Sequence, residues 1–179
     1  MKKILCFLVL AGCAMFALPA FAADRTLVDA SGNEMVFKES SHPGFFRYES
    51  EASPFVVDIP ACFTKLASVE TTNRSEEIIL GDDGDAARFR MMSAMLAAEL
   101  TIAQYYKTSR DALGVKPAYE KLGKDFFALS WIQDGVTHYR KAVIAGDSLG
   151  EMDISYPSGR KKEFDPFVSH SAGSLKLLN

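Results

Sequence analysis

Asp125–Ala145, "DFFALSWIQDGVTHYRKAVIA", decides how the rest of the chain is read. Phe126 to Ile132 is apolar at successive positions, as in a strand covered on both faces. Asp134-Gly135 is a favoured two-residue hairpin turn, because both positions tolerate positive φ. Val136 to Ala145 then returns as an antiparallel partner. Gly146-Asp147 turns again, and Leu149 to Tyr156 makes a third strand with Met152, Ile154 and Tyr156 on one face. The pattern predicts a three-strand meander.

Toward the C-terminus, Asp165-Pro166 has the chemistry of a helix start, Asp as N-cap and Pro at the first helical position. Phe164, Phe167, Val168, Ser171 and Leu175 would form its apolar stripe. Toward the N-terminus, Tyr119 to Leu122 can form a short strand. Met92, Leu96, Leu100, Ala103 and Tyr106 step by three or four, which predicts a helix from Met92 to Leu113 closed by Gly114. Before it, Ala87, Phe89 and Met91 alternate with Arg88 and Arg90, and Ile78 to Leu80 is a short apolar run. Phe55, Val57 and Ile59 alternate up to Pro60, Phe46 and Tyr48 alternate with Arg47 and Glu49, and Thr26 to Phe37 reads as two strands around Ser31-Gly32-Asn33. The expectation is one α+β domain over residues 24–179: an antiparallel sheet of about six strands flanked by helices in an α/β/α sandwich.

The first 23 residues stand apart. Lys2 and Lys3 precede an apolar run from Ile4 to Leu18, and Ala20-Phe21-Ala22 places small residues where a signal peptidase reads. This predicts an export signal cut after Ala22 or Ala23. Leu10-Ala11-Gly12-Cys13 offers an alternative, a lipobox whose Cys13 would be acylated and anchor the protein to a membrane. No later run approaches the roughly 18 apolar residues of a membrane span. Beyond the signal the 23 acids remain while Lys2 and Lys3 are lost, so the formal charge moves from −3 to −5. That balance argues against nucleic acid as a partner. Of the three cysteines, Cys62 alone lies outside the signal. A lone cysteine after Ile59-Pro60 reads as a small buried hydrophobe.

Candidate chemistry is sparse. Asp82, Asp83 and Asp85 crowd a glycine-rich stretch, but calcium loops space their acids at alternate positions and end in a distal Glu. Asp83-Gly84 reads instead as a tight turn between the Ile78 and Ala87 strands. Glu76 and Glu77 are adjacent on a strand, so they face opposite ways, and both read as solvated edges. His42, His138 and His170 are scattered and lack metal-ligand spacing. Trp131, the sole tryptophan, reads as core. Asn73-Arg74-Ser75 matches a glycosylation sequon, which carries little weight behind a bacterial-type signal. Arg160-Lys161-Lys162 is a basic flank that could dock a partner. No nucleophile elbow, phosphate loop, dinucleotide fingerprint or zinc-protease motif is present.

The order "PFVVDIPACF", a glycine-rich turn into "DAARFRM", a helix, "FFALSWIQDGVTHYRKAVIA", a strand ending in Tyr156-Pro157 and a closing "FDPFVSHSAGSLKL" resembles the PsbP-like fold family, over about Phe45 to Leu177. That family takes its name from an extrinsic subunit of the photosystem II oxygen-evolving complex, and a nuclear-import accessory factor shares the fold. The resemblance implies an antiparallel sheet packed between helices and an accessory or binding role. It carries over no ligand residue and no cofactor.

The expected function is therefore an exported, non-enzymatic binding protein of the bacterial envelope, periplasmic or secreted, recognising a protein or envelope component. Two alternatives stand beside it: a small envelope hydrolase with a composite site around Cys62 or a histidine, and a calcium-dependent module using the aspartate turn.

Overall fold

A computed structural model describes residues 24–96 and 100–178. The elements in chain order are β1 (Arg25–Val28), β2 (Glu34–Glu39), β3 (Phe45–Glu49), β4 (Phe55–Pro60), β5 (Phe63–Thr71), β6 (Ser75–Asp82), β7 (Arg88–Met95), α1 (Ile102–Asp111), β8 (Tyr119–Leu122), β9 (Phe126–Gln133), β10 (Val136–Ala145), β11 (Ser148–Pro157), a 3-10 turn (Ser158–Arg160), α2 (Lys161–Ser174) and β12 (Lys176–Leu177). The meander forms as read, in the register Val136↔Gln133 and Val136↔Pro157. Asp134 and Gly135 both take positive φ, 51° and 77°, which matches their strands' twist.

The single sheet of about six strands gives way to two antiparallel sheets. One has five strands in the order β1-β2-β3-β4-β12, the other seven in the order β5-β6-β7-β11-β10-β9-β8. Which strands share a sheet is set by non-local pairing that local patterns do not carry, and one strand, β5, also escapes the sequence for a physical reason. The register of β5 against β6 shifts between Phe63 and Lys65 and again between Leu66 and Ser68. Each shift flips the facing of the residues after it, so β5 lacks the alternation that marks a strand in sequence.

The helices also differ from expectation. Met92 to Met95 continue β7, with Met92 to Ala94 paired with Glu77 to Ser75 on one side and Met92 to Met95 with Glu151 to Ser148 on the other. This strand is apolar on both faces, since Met91 enters one core cluster and Met92 packs against a second. A run apolar on both faces cannot be told from a helix by spacing alone. The helix begins only at Ile102, where Thr101 caps it and Gln104 reaches back to close a capping box. Helix α2 starts four residues before Asp165, so Pro166 lies inside it and Asp165 is no cap. Ion pairs from Arg160 to Glu163 and from Lys161 to Asp165 brace that first turn.

The main core lies between the two sheets, where α2 inserts Phe164 against Tyr156 and Phe63. A smaller core on the outer face of the larger sheet holds α1 against Phe127, Leu129 and Trp131. Trp131 is 5% exposed, as its apolar strand requires.

Candidate functional site

Strands β2 and β3 pair at only two positions, Lys38↔Arg47 and Glu39↔Phe46. Toward the other end of β2 they part, and a cleft of about 600 Å³ opens between them and reaches β5 and β6. Asn33, Glu34, Met35 and Val36 form one wall, and Tyr48, Glu49 and Glu51 the other. Val69, Thr71 and Glu76 close the far end. Glu34 to Phe37 pair with β1 on their other side, and Tyr48 and Glu49 pair with β4. Both strands therefore turn an edge toward the cleft with no strand partner there among the described residues. Such an edge is a template for another strand.

The floor of the cleft is polar and buried. Glu76 is 6% exposed. It accepts hydrogen bonds from the Tyr48 hydroxyl and, at 2.7 Å, from Ser50 Oγ. Ser50 Oγ in turn lies 2.7 Å from Ser93 Oγ. Burial, and then the adjoining Glu76 carboxylate, push the Tyr48 hydroxyl well above its ordinary pKa of 10.0, so it stays a donor. No ion pair to Glu76 forms among the described residues. Lys38 pairs with Glu49 at the rim, while Glu34 and Glu51 make no ion pair among those residues. A buried carboxylate with only hydroxyl partners, in a cleft carrying four glutamates, favours a cationic guest.

The reading of Glu76 and Glu77 as solvated edges is thus overturned. Period-two alternation does send them to opposite faces, but one is buried under the cleft. The other binds Arg90 at 2.5 Å on the outer face of the sheet.

The remaining candidates take structural places. Asp82 accepts the Ala86 and Ala87 amides through Oδ1 at 2.8 and 3.0 Å. Its Oδ2 takes Arg160 Nη1 at 2.6 Å. The turn reading holds, with Asp85 as its left-handed residue at φ 52°. Among the described residues no group of three or more His, Cys, Asp or Glu side chains could hold a metal. Arg160 also binds Glu163, and Lys161 binds Asp165, so of the basic flank only Lys162 makes no ion pair among the described residues. Burial pushes the Cys62 thiol up to about 11, the opposite of what a nucleophile needs. His170 Nε2 meets Asp58 Oδ2 at 2.9 Å and its ring stacks on His42 at 3.8 Å. No serine or cysteine bonds that imidazole among the described residues.

Sequence reasoning missed Tyr48, Ser50 and Glu76 as a group. Their periodicity was legible, but the cleft they share is also lined by Val69 and Thr71 of β5, a strand that the sequence hides.

No protein-family model matches the sequence, and no curated protein matches it. Among solved structures, cyanobacterial PsbP (CyanoP) from Synechocystis sp. PCC 6803 superposes with a TM-score of 0.55, covering 78% of this chain and 96% of that one at 11% identity. The fold is PsbP-like. At that identity the PsbP-like fold is what the comparison carries, and the chemistry must come from the side chains. A crystal structure from Bacteroides thetaiotaomicron aligns with a TM-score of 0.43 and 16% identity over 74% of this chain and 48% of that one; at that score it supports no argument here. Among the described residues of this PsbP-like chain, no helix is long and apolar enough to cross a membrane.

Proposed function

We propose that residues 1–23 direct export and are removed after Ala22 or Ala23, and that residues 24–179 act as a single-domain, non-enzymatic binding protein of the bacterial envelope. The cleft between β2 and β3 would receive an extended segment of a partner protein that carries a basic side chain. The observation that carries this reading is the pair of open strand edges facing one another over the buried Glu76. Backbone pairing along such edges supplies affinity without demanding a sequence, and a cation reaching Glu76, Glu51 or Glu34 supplies selectivity. The PsbP-like fold of CyanoP is compatible with an accessory role. The flank at Arg160 is less suited to docking, because its charge is already engaged.

A photo-reactive amino acid placed at Val36, a cleft residue 54% exposed, tests this in cells. Ile132, 55% exposed on β9, serves as the control position. One discrete cross-linked adduct from Val36, weakened by Glu76→Gln in a folded protein, is the expected result. Equal labelling from Ile132, or no adduct from Val36, contradicts it. Mass spectrometry of the mature N-terminus decides between cleavage near Ala22 and acylation at Cys13.

A further inference from the structure

The outer face of the seven-stranded sheet carries a second feature, independent of the cleft. Charges there are mostly spent on one another. Arg90 binds Glu77 at 2.5 Å and Glu151 at 2.6 Å. Arg140 binds Asp153 at 2.9 Å and lies over the Trp131 ring at 5.5 Å. Tyr105 donates to Glu151 at 2.6 Å. One row of this face is different. The register sets Arg88 opposite Ser155, Ser155 opposite His138, and His138 opposite Trp131. Directly opposed side chains in antiparallel strands sit about 5 Å apart on the same face.

The guanidinium of Arg88, the hydroxyl of Ser155 and the ring nitrogens of His138 make no hydrogen bond or ion pair among the described residues. These three neighbouring strands thus present three unused polar groups in line. The row ends on a flat wall, where His138 stacks on Trp131 with ring centroids 4.8 Å apart and planes 4° from parallel. Arg88, Ser155, His138 and Trp131 line one depression of about 300 Å³, together with Arg90 and the Arg140–Asp153 pair. That is the lower end of the size range for small-molecule sites.

We infer that this depression binds a small aromatic carboxylate. Its carboxylate would meet Arg88, the one arginine of the cluster without an acid partner among the described residues, with Ser155 donating to the same group. A guanidinium fork matches a carboxylate in charge and shape. The ring of the ligand would lie along the exposed side of His138, continuing the stack that Trp131 begins. The neighbouring Arg90 and Arg140 are already neutralised by their own acids. Discrimination therefore falls on Arg88.

Trp131 is the chain's single tryptophan and lines the depression, so its fluorescence is the readout, with the benzamide control and Arg88→Gln separating ligand binding from changes in the α1 core that it also joins. Benzoate is the probe and benzamide, its neutral isostere, the control. The expected result is a saturable change in Trp131 emission with benzoate and none with benzamide. Arg88→Gln, an exposed position that leaves the fold intact by circular dichroism, weakens the benzoate response about tenfold or more, the loss of one charge-assisted hydrogen bond. Ser155→Ala weakens it by a smaller factor. A response that does not saturate, that benzamide reproduces, or that Arg88→Gln leaves unchanged overturns the assignment. Because the cleft lies elsewhere, a failed Val36 cross-link leaves this result untouched.

Discussion

Asp82 is buried, yet its carboxyl sits below its ordinary value of 3.8. Burial alone would raise it; the Ala87 amide, Arg160 and the Ala86 amide outweigh that cost and favour the charged form. Arg160→Ala leaves the carboxylate two amides and no cation. Because the Arg160 side chain is 34% exposed, water can partly replace it. The expected loss is about 1–2 kcal/mol, less than for stranding a fully buried charge, read from denaturant midpoints. Cys62 makes a sharper test of the enzyme alternative. Its thiol, held up to about 11, should react with a disulfide reagent only slowly at pH 8, with the rate still climbing toward pH 11. Fast labelling at pH 7 would restore the composite hydrolase as a serious reading. The three aspartates were legible as a turn because turn chemistry is local. The partner of Asp82 was not, since Arg160 lies 78 positions away and only folding brings it there.

At the scale of elements, the two sheets come into close contact where β11 passes β4. A Cβ added to Gly150 would stand 2.2 Å from a ring carbon of Phe55, itself 1% exposed. Gly150→Ala must therefore displace a packed aromatic ring, at about 1–3 kcal/mol. Phe55→Leu frees space at the same point, so the double variant should be more stable than the sum of the two losses implies. Strict additivity in thermal melts would show that the sheets do not touch there. Strands with clean alternation or an Asp-Gly turn could be read from sequence alone: β4, β7 at its start, β9 and β10. Met92–Met95 could not, because a strand sandwiched between two cores borrows the spacing of a helix. The short helix that does form carried a local sign, Thr101-x-x-Gln104, which the longer apolar pattern masked. Pro166 misled in the other direction: proline favours a helix start, but here the ion pairs of Arg160 and Lys161 begin the helix earlier.

Across the whole molecule, two carboxylates tie distant parts of the chain together. Asp82 links the β6–β7 turn to the entry of α2. Asp58 links β4 to β3 through Arg47 at 3.0 Å and to α2 through His170. Burial opposes ionisation of Asp58, but Arg47, His170 and Ser40 outweigh it and keep its carboxyl below 3.8. A carboxyl held lower in the folded state than in the unfolded chain stabilises the fold above the unfolded value. That contribution fades as pH falls through the folded value. Stability contributed by these two groups should thus be steady above about pH 4 and decline below it. Asp58→Asn should flatten part of that acid limb, as measured by thermal melts from pH 2 to 7. The PsbP-like arrangement itself was legible in the order of elements. The cleft was not, because it depends on where β2 leaves β3, a matter of how two sheets sit together rather than of any local pattern.

The claim that this cleft receives an extended basic segment is tested most directly by titrating 15N-labelled protein with a short peptide of alternating lysine and valine. The expected result is amide shifts confined to Glu34–Phe37, Tyr48–Glu51 and Glu76, with affinity falling as salt is added and falling further in Glu76→Gln. Shifts spread over the α1 face, or none along β2 and β3, would contradict it.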